Sequence, residues 1–401
     1  MKIRNFITLI GWSAFSATLP IGSYFCVLIL YGLETTGQLF TSIATAQTLS
    51  LIIRFGQQNR AFENGVKELN LQESSFSQFL TIPLIIAITI LILIFGSSFV
   101  QRYISWPEFF CAFLLAWKYL YTEYQKGNEN LLPAILLDNI IPTLLFIIIC
   151  ILNYYSKSLE LNLLHIYTCS LLIPAVSFFH IISKKSNIKK RGIPIGLNRH
   201  SMAEQVFDGH RNLIINFMTD GLFASLPILV VASTLGFEAA AIMTLAVRCG
   251  SLVPRLARYV EAPLLEVVIN NNGISQIVQT YLKYAMRFAM LGCLLLLGHT
   301  LVFFTPIVDL LQIPDESYWP TLLLLISRII STLTGPHQRG LIFLRQQKFV
   351  FITIGYATFF WVASVFIFQL TKNINIFVVC LSLILIFHSW VSCIRLLQNR
   401  N

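Results

Sequence analysis

Basic side chains set deep in apolar sequence are the groups of this chain with chemistry to do. Arg248, Arg255 and Arg258 lie on one apolar run at spacings of seven and three, which puts them on one side of a helix. Arg54 closes an earlier run. Lys118 shares a face with Tyr121, Thr122 and Gln125, and Arg328 shares one with Ser331, Thr332 and Gly335. Acidic and amide groups at comparable depth are fewer: Asp138, beside Asn139 and before Pro142, and the series Asn212, Asn216, Asp220 at four-residue steps. A charge at the centre of a membrane helix costs roughly 2.5–3.5 kcal/mol to insert, so it faces a wet cavity or a partner. An anionic ligand, or a buried carboxylate, is therefore expected opposite Arg248.

Two plainer readings compete. Arg54, Arg255, Arg258, Lys283 and Arg287 lie near inner helix ends and can snorkel to headgroups. The deeper Lys118, Asp138, Asp220, Arg248 and Arg328 can form ion pairs that hold the halves of the molecule together. His299 and His388 stand alone on apolar faces, where a hydrogen-bonded structural role is expected. The constellations of enzymes are missing: no G-x-S-x-G, no phosphate-binding G-x-x-x-x-G-K-[ST], no H-E-x-x-H and no Cys/His cluster. The acids of the 305–317 connection, Asp309, Asp315 and Glu316, sit in a stretch too short for a catalytic domain. We expect no catalytic residue, no metal and no cofactor.

The elements that must position these groups follow from composition. The 401 residues are 56% hydrophobic and 11% charged, against about 25% charged in a soluble domain. Apolar runs of about twenty residues recur, so the chain reads as an all-α polytopic membrane protein. Its net charge of +10 does not mark a nucleic-acid binder, because the basic residues sit at the ends of apolar runs. The eight cysteines lie in or beside apolar runs without a C-x-x-C pair and read as small core residues. The first run is too long for a signal peptide and is read as a retained helix.

Twelve transmembrane helices are expected, at about 6–31, 38–58, 78–100, 106–125, 131–153, 161–183, 211–234, 239–259, 281–304, 318–339, 346–370 and 375–396. With the N-terminus inside, the outer connections hold only Arg102, Lys157 and Lys372 of the 28 lysines and arginines. That bias predicts both termini in the cytoplasm. Local matches suggest a repeat. Gly32-Leu33-Glu34 corresponds to Gly236-Phe237-Glu238 and Arg54 to Arg258 at an offset of 204, and Ser105-Trp106-Pro107 corresponds to Tyr318-Trp319-Pro320 at 213. The expected organisation is a six-helix bundle over 1–183, a basic cytoplasmic linker over 184–210 and a second six-helix bundle over 211–401. An even number of helices per half relates the bundles by a pseudo-two-fold axis along the membrane normal, with the substrate site at their interface.

The stretch Gly32-Leu33-Glu34-Thr35-Thr36-Gly37 leading to Phe40 and Arg54-Phe55-Gly56, Gly236-Phe237-Glu238 through Arg248, and Gln125-Lys126-Gly127-Asn128 resemble the Wzx-like polysaccharide (O-antigen type) flippases. These form a branch of the multidrug/oligosaccharidyl-lipid/polysaccharide (MOP) exporter superfamily. Ala239-Ala240-Ala241 departs from the glycine expected after the second acidic residue. The resemblance implies two bundles around a V-shaped cavity in a bacterial inner membrane. It also implies alternating access carrying an undecaprenyl-pyrophosphate-linked oligosaccharide to the outer leaflet, with a polysaccharide polymerase and chain-length proteins as partners.

On that reading the diphosphate meets Arg248 with Arg54, Arg255, Arg258, Lys118 or Arg328, since arginine forks and lysine point charges suit phosphate oxygens. Asn216 and Thr122 meet glycan hydroxyls, and Asp138 and Asp220 are polar cavity or coupling groups. The alternative is a sodium- or proton-coupled exporter of small organic cations, similar to the MATE transporters, which needs buried carboxylates in excess. Deep basic groups outnumber deep acidic ones here, which favours an anionic cargo.

Overall fold

The computed structural model describes residues 3–58, 60–61, 81–96, 104–127, 130–156, 161–176, 209–210, 212–215, 217–258, 274–334, 341 and 346–398. Most of the expected linker, with its Lys184–Arg191 basic cluster, lies outside them. Among the described residues the chain is helical and contains no strand. In order the helices are α1 (Ile3–Tyr31), α2 (Leu33–Arg54), α3 (Thr81–Gly96), α4 (Trp106–Gly127), α5 (Leu131–Ile135), α6 (Ile141–Ser156) and α7 (Leu163–Ser170). They continue as α8 (Leu226–Leu235), α9 (Phe237–Arg258), α10 (Ile274–Phe303), α11 (Ile307–Leu310), α12 (Tyr318–Thr332), α13 (Gln347–Thr371) and α14 (Ile374–Gln398). Among the described residues two π-helical segments interrupt this pattern, Leu136–Ile140 between α5 and α6 and Phe217–Ser225 before α8.

Among the described residues five stretches are long and apolar enough to cross a membrane: Gly11–Tyr31, Leu131–Ser156, Phe237–Arg255, Lys348–Thr371 and Ile374–Leu396. Lipid-facing stripes are visible at helical spacing. Ile85, Ile88 and Ile92 are exposed on α3, and Met286, Met290, Leu294, Leu297 and Leu301 on α10. Apolar side chains in such rows, without a protein partner, have lipid as their natural solvent. The chain is a multi-pass membrane protein. Among the described residues no disulfide forms, and the cysteines divide: Cys111, Cys150 and Cys393 are buried, whereas Cys169 and Cys293 are exposed. The expectation of core thiols thus fails at those two positions, which lie on outward-facing sides of α7 and α10.

Helix starts follow local chemistry. Ser105 opens α4, and Glu108 Oε2 accepts from its main-chain N–H at 2.8 Å, with Pro107 in the first turn. Asn162 caps α7 by accepting from Leu164 N–H at 2.9 Å. α10 starts seven residues before its expected position, because the polar stretch from Ile274 continues the helix upstream of the apolar run. α2 likewise begins at Leu33, directly after Gly32.

The two matched glycine turns have matching backbones. Gly32 (φ 83°) donates to Leu28 O at 2.9 Å, and Thr36 N–H donates to Gly32 O at 3.1 Å. Gly236 (φ 93°) donates to Ala232 O at 3.1 Å, and Ala240 N–H donates to Gly236 O at 3.2 Å. Each bond recurs at the offset seen in sequence. Glycine is needed because this left-handed region strains other residues. Glu34 and Glu238 then fall in first turns, favourably placed for the helix dipole.

Packing divides the chain into two compact units, Met1–Phe40 with Leu222–Asn401, and Thr41–Gly221. These follow contact, while the expected halves follow a repeat, and the two divisions differ. In the first unit α9 packs on α1 and α12, and α14 on α12 and α13. In the second, α4 packs on α5 and α7, and α6 on α7.

Candidate functional site

The first unit holds Arg248. Its helix α9 packs on α1, where the Tyr24 hydroxyl donates to Ala241 O at 3.1 Å. Gly37 brings the first turns of α2 against the Phe237 backbone. These contacts bring Phe40 and the middle of α1 to the arginine. The half-buried guanidinium lies 4.1 Å from the centroid of the Phe40 ring, and Phe40 stacks in turn on Tyr24. Arg248 Nη1 donates to the main-chain oxygen of Pro20 and, at 3.2 Å, to Ser23 Oγ. Carbonyl, hydroxyl and ring-face contacts orient the guanidinium.

Arg328 and Lys118 share a device that the sequence analysis did not identify. Arg328 Nη2 donates to Phe223 O at 2.9 Å, and four residues beyond Phe223 stands Pro227. Lys118 Nζ donates to Asp138 O at 2.7 Å, and four residues beyond Asp138 stands Pro142. In an α-helix each of those carbonyls would accept from the N–H that proline lacks, and the proline ring would press on it. Both helices respond by widening to π geometry just before the proline, and in both a basic side chain supplies a replacement donor. The sequence signal was present: a deep basic residue together with a proline interrupting another apolar run. Trp361 Nε1 adds a second prop to the later segment, donating to Leu222 O at 3.0 Å. α9 accommodates Arg328 through Gly250, whose missing Cβ would stand 3.3 Å from Arg328 Cγ.

The second unit holds Lys118, Asp138, Arg54 and Thr122. Lys118 and Asp138 are 5% and 3% exposed, and Nζ lies 3.4 Å from Asp138 Oδ1. This is an ion pair inside one half, not one that ties the halves together. Asn139 Nδ2 donates to Asp138 Oδ2 at 3.4 Å. Arg54 does not snorkel. It is buried, stacked 4.3 Å over the Tyr119 ring, and donates to Gln58 Oε1 at 2.8 Å and Ser50 O at 3.3 Å. Thr122, Tyr121 and Gln125 are buried on the Lys118 face, and the Thr122 hydroxyl donates to Tyr119 O at 3.0 Å within its own helix. Past Arg54 the chain turns through Phe55 (φ 45°) and Gly56 (φ 68°), and Gly56 meets Asn212 and Leu213.

Arg255 is half-buried on α9. Asn216, and the side chains of Asp220, Arg258, Lys283 and Arg287, lie outside the described residues. His299 has the structural role expected: Nε2 pairs with Thr321 Oγ1 at 2.7 Å between Phe303 and Tyr318. His388 is buried.

No family model and no curated protein matches the chain. Solved structures do. A MATE protein in complex with MaL6 superposes with TM-score 0.56 at 13% identity, over 98% of this chain and 94% of that one. A MOP superfamily transporter from Pyrococcus furiosus, described as having a binding pocket of reversed polarity that suggests a different function, gives 0.55 at 12% identity, over 98% and 95%. An inward-facing multidrug resistance MATE family transporter of the MOP superfamily gives 0.53 at 13% identity, over 100% and 95%. These likenesses span nearly the full length of every chain, and the fold of this protein is that of the MATE transporters.

Proposed function

We propose that the chain is an alternating-access transporter whose cargo is anionic, and specifically a flippase for a polyprenyl-diphosphate-linked oligosaccharide. The observation that carries this reading is the setting of Arg248. Arg248 donates to the Pro20 main-chain oxygen and to Ser23 Oγ, lies against the face of Phe40, and stands half-buried in a membrane helix. Such a group suits a diphosphate and repels an organic cation. Asp138, the deep carboxylate a cation exporter would need, is already engaged by Lys118. The fold tolerates the inversion: one similar structure is itself described as having a pocket of reversed polarity. With no nucleotide-binding loop in the sequence, the work comes from a gradient or from cargo supply.

The second reading, export of small organic cations, has its own support. The fold likeness includes a multidrug resistance transporter and, taken alone, favours this class over the flippase. The test is Arg248→Ala in a strain that depends on this protein for surface glycan. On the flippase reading surface glycan is lost and lipid-linked units accumulate on the inner leaflet, while the membrane level of the protein stays unchanged. Normal surface glycan in that strain removes Arg248 from the cargo site.

A further inference from the structure

We propose that Lys118 supplies, from within the chain, the cation of a monovalent-cation site built around Asp138, so that the protein recruits none from solution there. Two oxygens of one residue converge on the ammonium: the Asp138 main-chain oxygen at 2.7 Å and its carboxylate Oδ1 at 3.4 Å. Peptide carbonyl and carboxylate together are the ligand set of a hard cation. The carbonyl is available because Pro142, four residues on, cannot donate to it and the turn opens to π geometry over Leu136–Ile140. The carboxylate is buried, and a buried carboxylate needs a positive partner or a proton. The Tyr119 ring lies 4.7 Å from the ammonium and adds a π face.

The second proline-opened turn sharpens the point. At Phe223 the donor is Arg328, and Phe223 itself carries no carboxylate beside its capped carbonyl. Among the described side chains, the Asp138 turn is where both oxygen types meet a basic side chain. The consequence is a coupling statement independent of the cargo: ion exchange at Asp138 is pre-empted by the chain's own ammonium, which never dissociates into either compartment.

The test uses the full-length protein in detergent, with sodium chloride exchanged for choline chloride at constant ionic strength and mildly alkaline pH. The wild-type thermal midpoint is expected to be indifferent to the exchange. Lys118→Met, which keeps the bulk of the stem and removes the charge, is expected to gain a midpoint that rises with sodium. Lys118→Met with Asp138→Asn is expected to lose that rise. A sodium-dependent wild-type midpoint that Asp138→Asn abolishes would overturn the proposal, as would a Lys118→Met protein indifferent to sodium. Should Lys118→Met not accumulate, the wild type against Asp138→Asn still decides, since a sodium response confined to the wild type contradicts an occupied site. None of these outcomes is read from the cargo: failure here removes the Asp138 argument against a cation exporter and leaves Arg248, which carries the flippase reading, to its own test.

Discussion

Adding one methyl group at Gly37 should unfold this protein more readily, although alanine is the better helix former. Gly37 lies in the second turn of α2, where its Cα approaches the first residue of α9. A Cβ built there would stand 2.5 Å from the Phe237 carbonyl carbon and 3.1 Å from its Cα, with the carbonyl oxygen closer still. Those atoms are backbone and cannot rotate away, so the two helix starts must separate. Overpacking of this kind costs about 1–3 kcal/mol and more where backbone must move, so we place Gly37→Ala at or above the top of that range. The opposing gain in helix propensity is about 1 kcal/mol. Gly22 on α1 provides the control, since a Cβ there meets nothing within 4 Å. Gly22→Ala should raise the thermal midpoint of the detergent-solubilised protein, and Gly37→Ala should lower it. A Gly37→Ala protein as stable as the wild type would refute the packing of α2 on α9.

Gly56→Ala should also destabilise. Its φ of 68° costs a residue with a Cβ about 1–2 kcal/mol, and the added carbon would lie 2.6 Å from Asn212 Cβ; a midpoint unchanged from wild type would deny that contact. The proline-opened turn before α8 predicts a coupling. Arg328→Met should cost more in the wild type than in a Pro227→Ala background, where residue 227 can donate to Phe223 O. A double-mutant cycle on the midpoint should report roughly 1 kcal/mol, and strict additivity would contradict the capping role of Arg328.

The readable part of the fold was whatever depends on one helix at a time. The apolar runs, the Ser105 start of α4 and the glycine turns at Gly32 and Gly236 are local, so composition and spacing located them. Even there α10 extended upstream, because a helix ignores the polarity change that marks a membrane edge. The deep basic residues were legible as positions but not as contacts. Nothing along the sequence says that Lys118 reaches the Asp138 carbonyl twenty residues away, or that Phe40 and Ser23 flank Arg248. Those facts come from packing between helices. What could have been read is the proline arithmetic: Pro142 and Pro227 each mark a carbonyl in need of a donor, and Lys118 and Arg328 are deep basic residues able to donate.

Transport of an anionic, lipid-linked cargo can be followed in proteoliposomes containing the purified protein. The measurement is the rate at which a polyprenyl-diphosphate oligosaccharide loaded in one leaflet becomes accessible in the other, beside the efflux of a small organic cation from the same vesicles. Glycan translocation is expected with the wild type and should fall to the protein-free rate in Arg248→Ala, with no cation efflux above background. Cation efflux with no glycan translocation would contradict it and would establish the exporter reading instead.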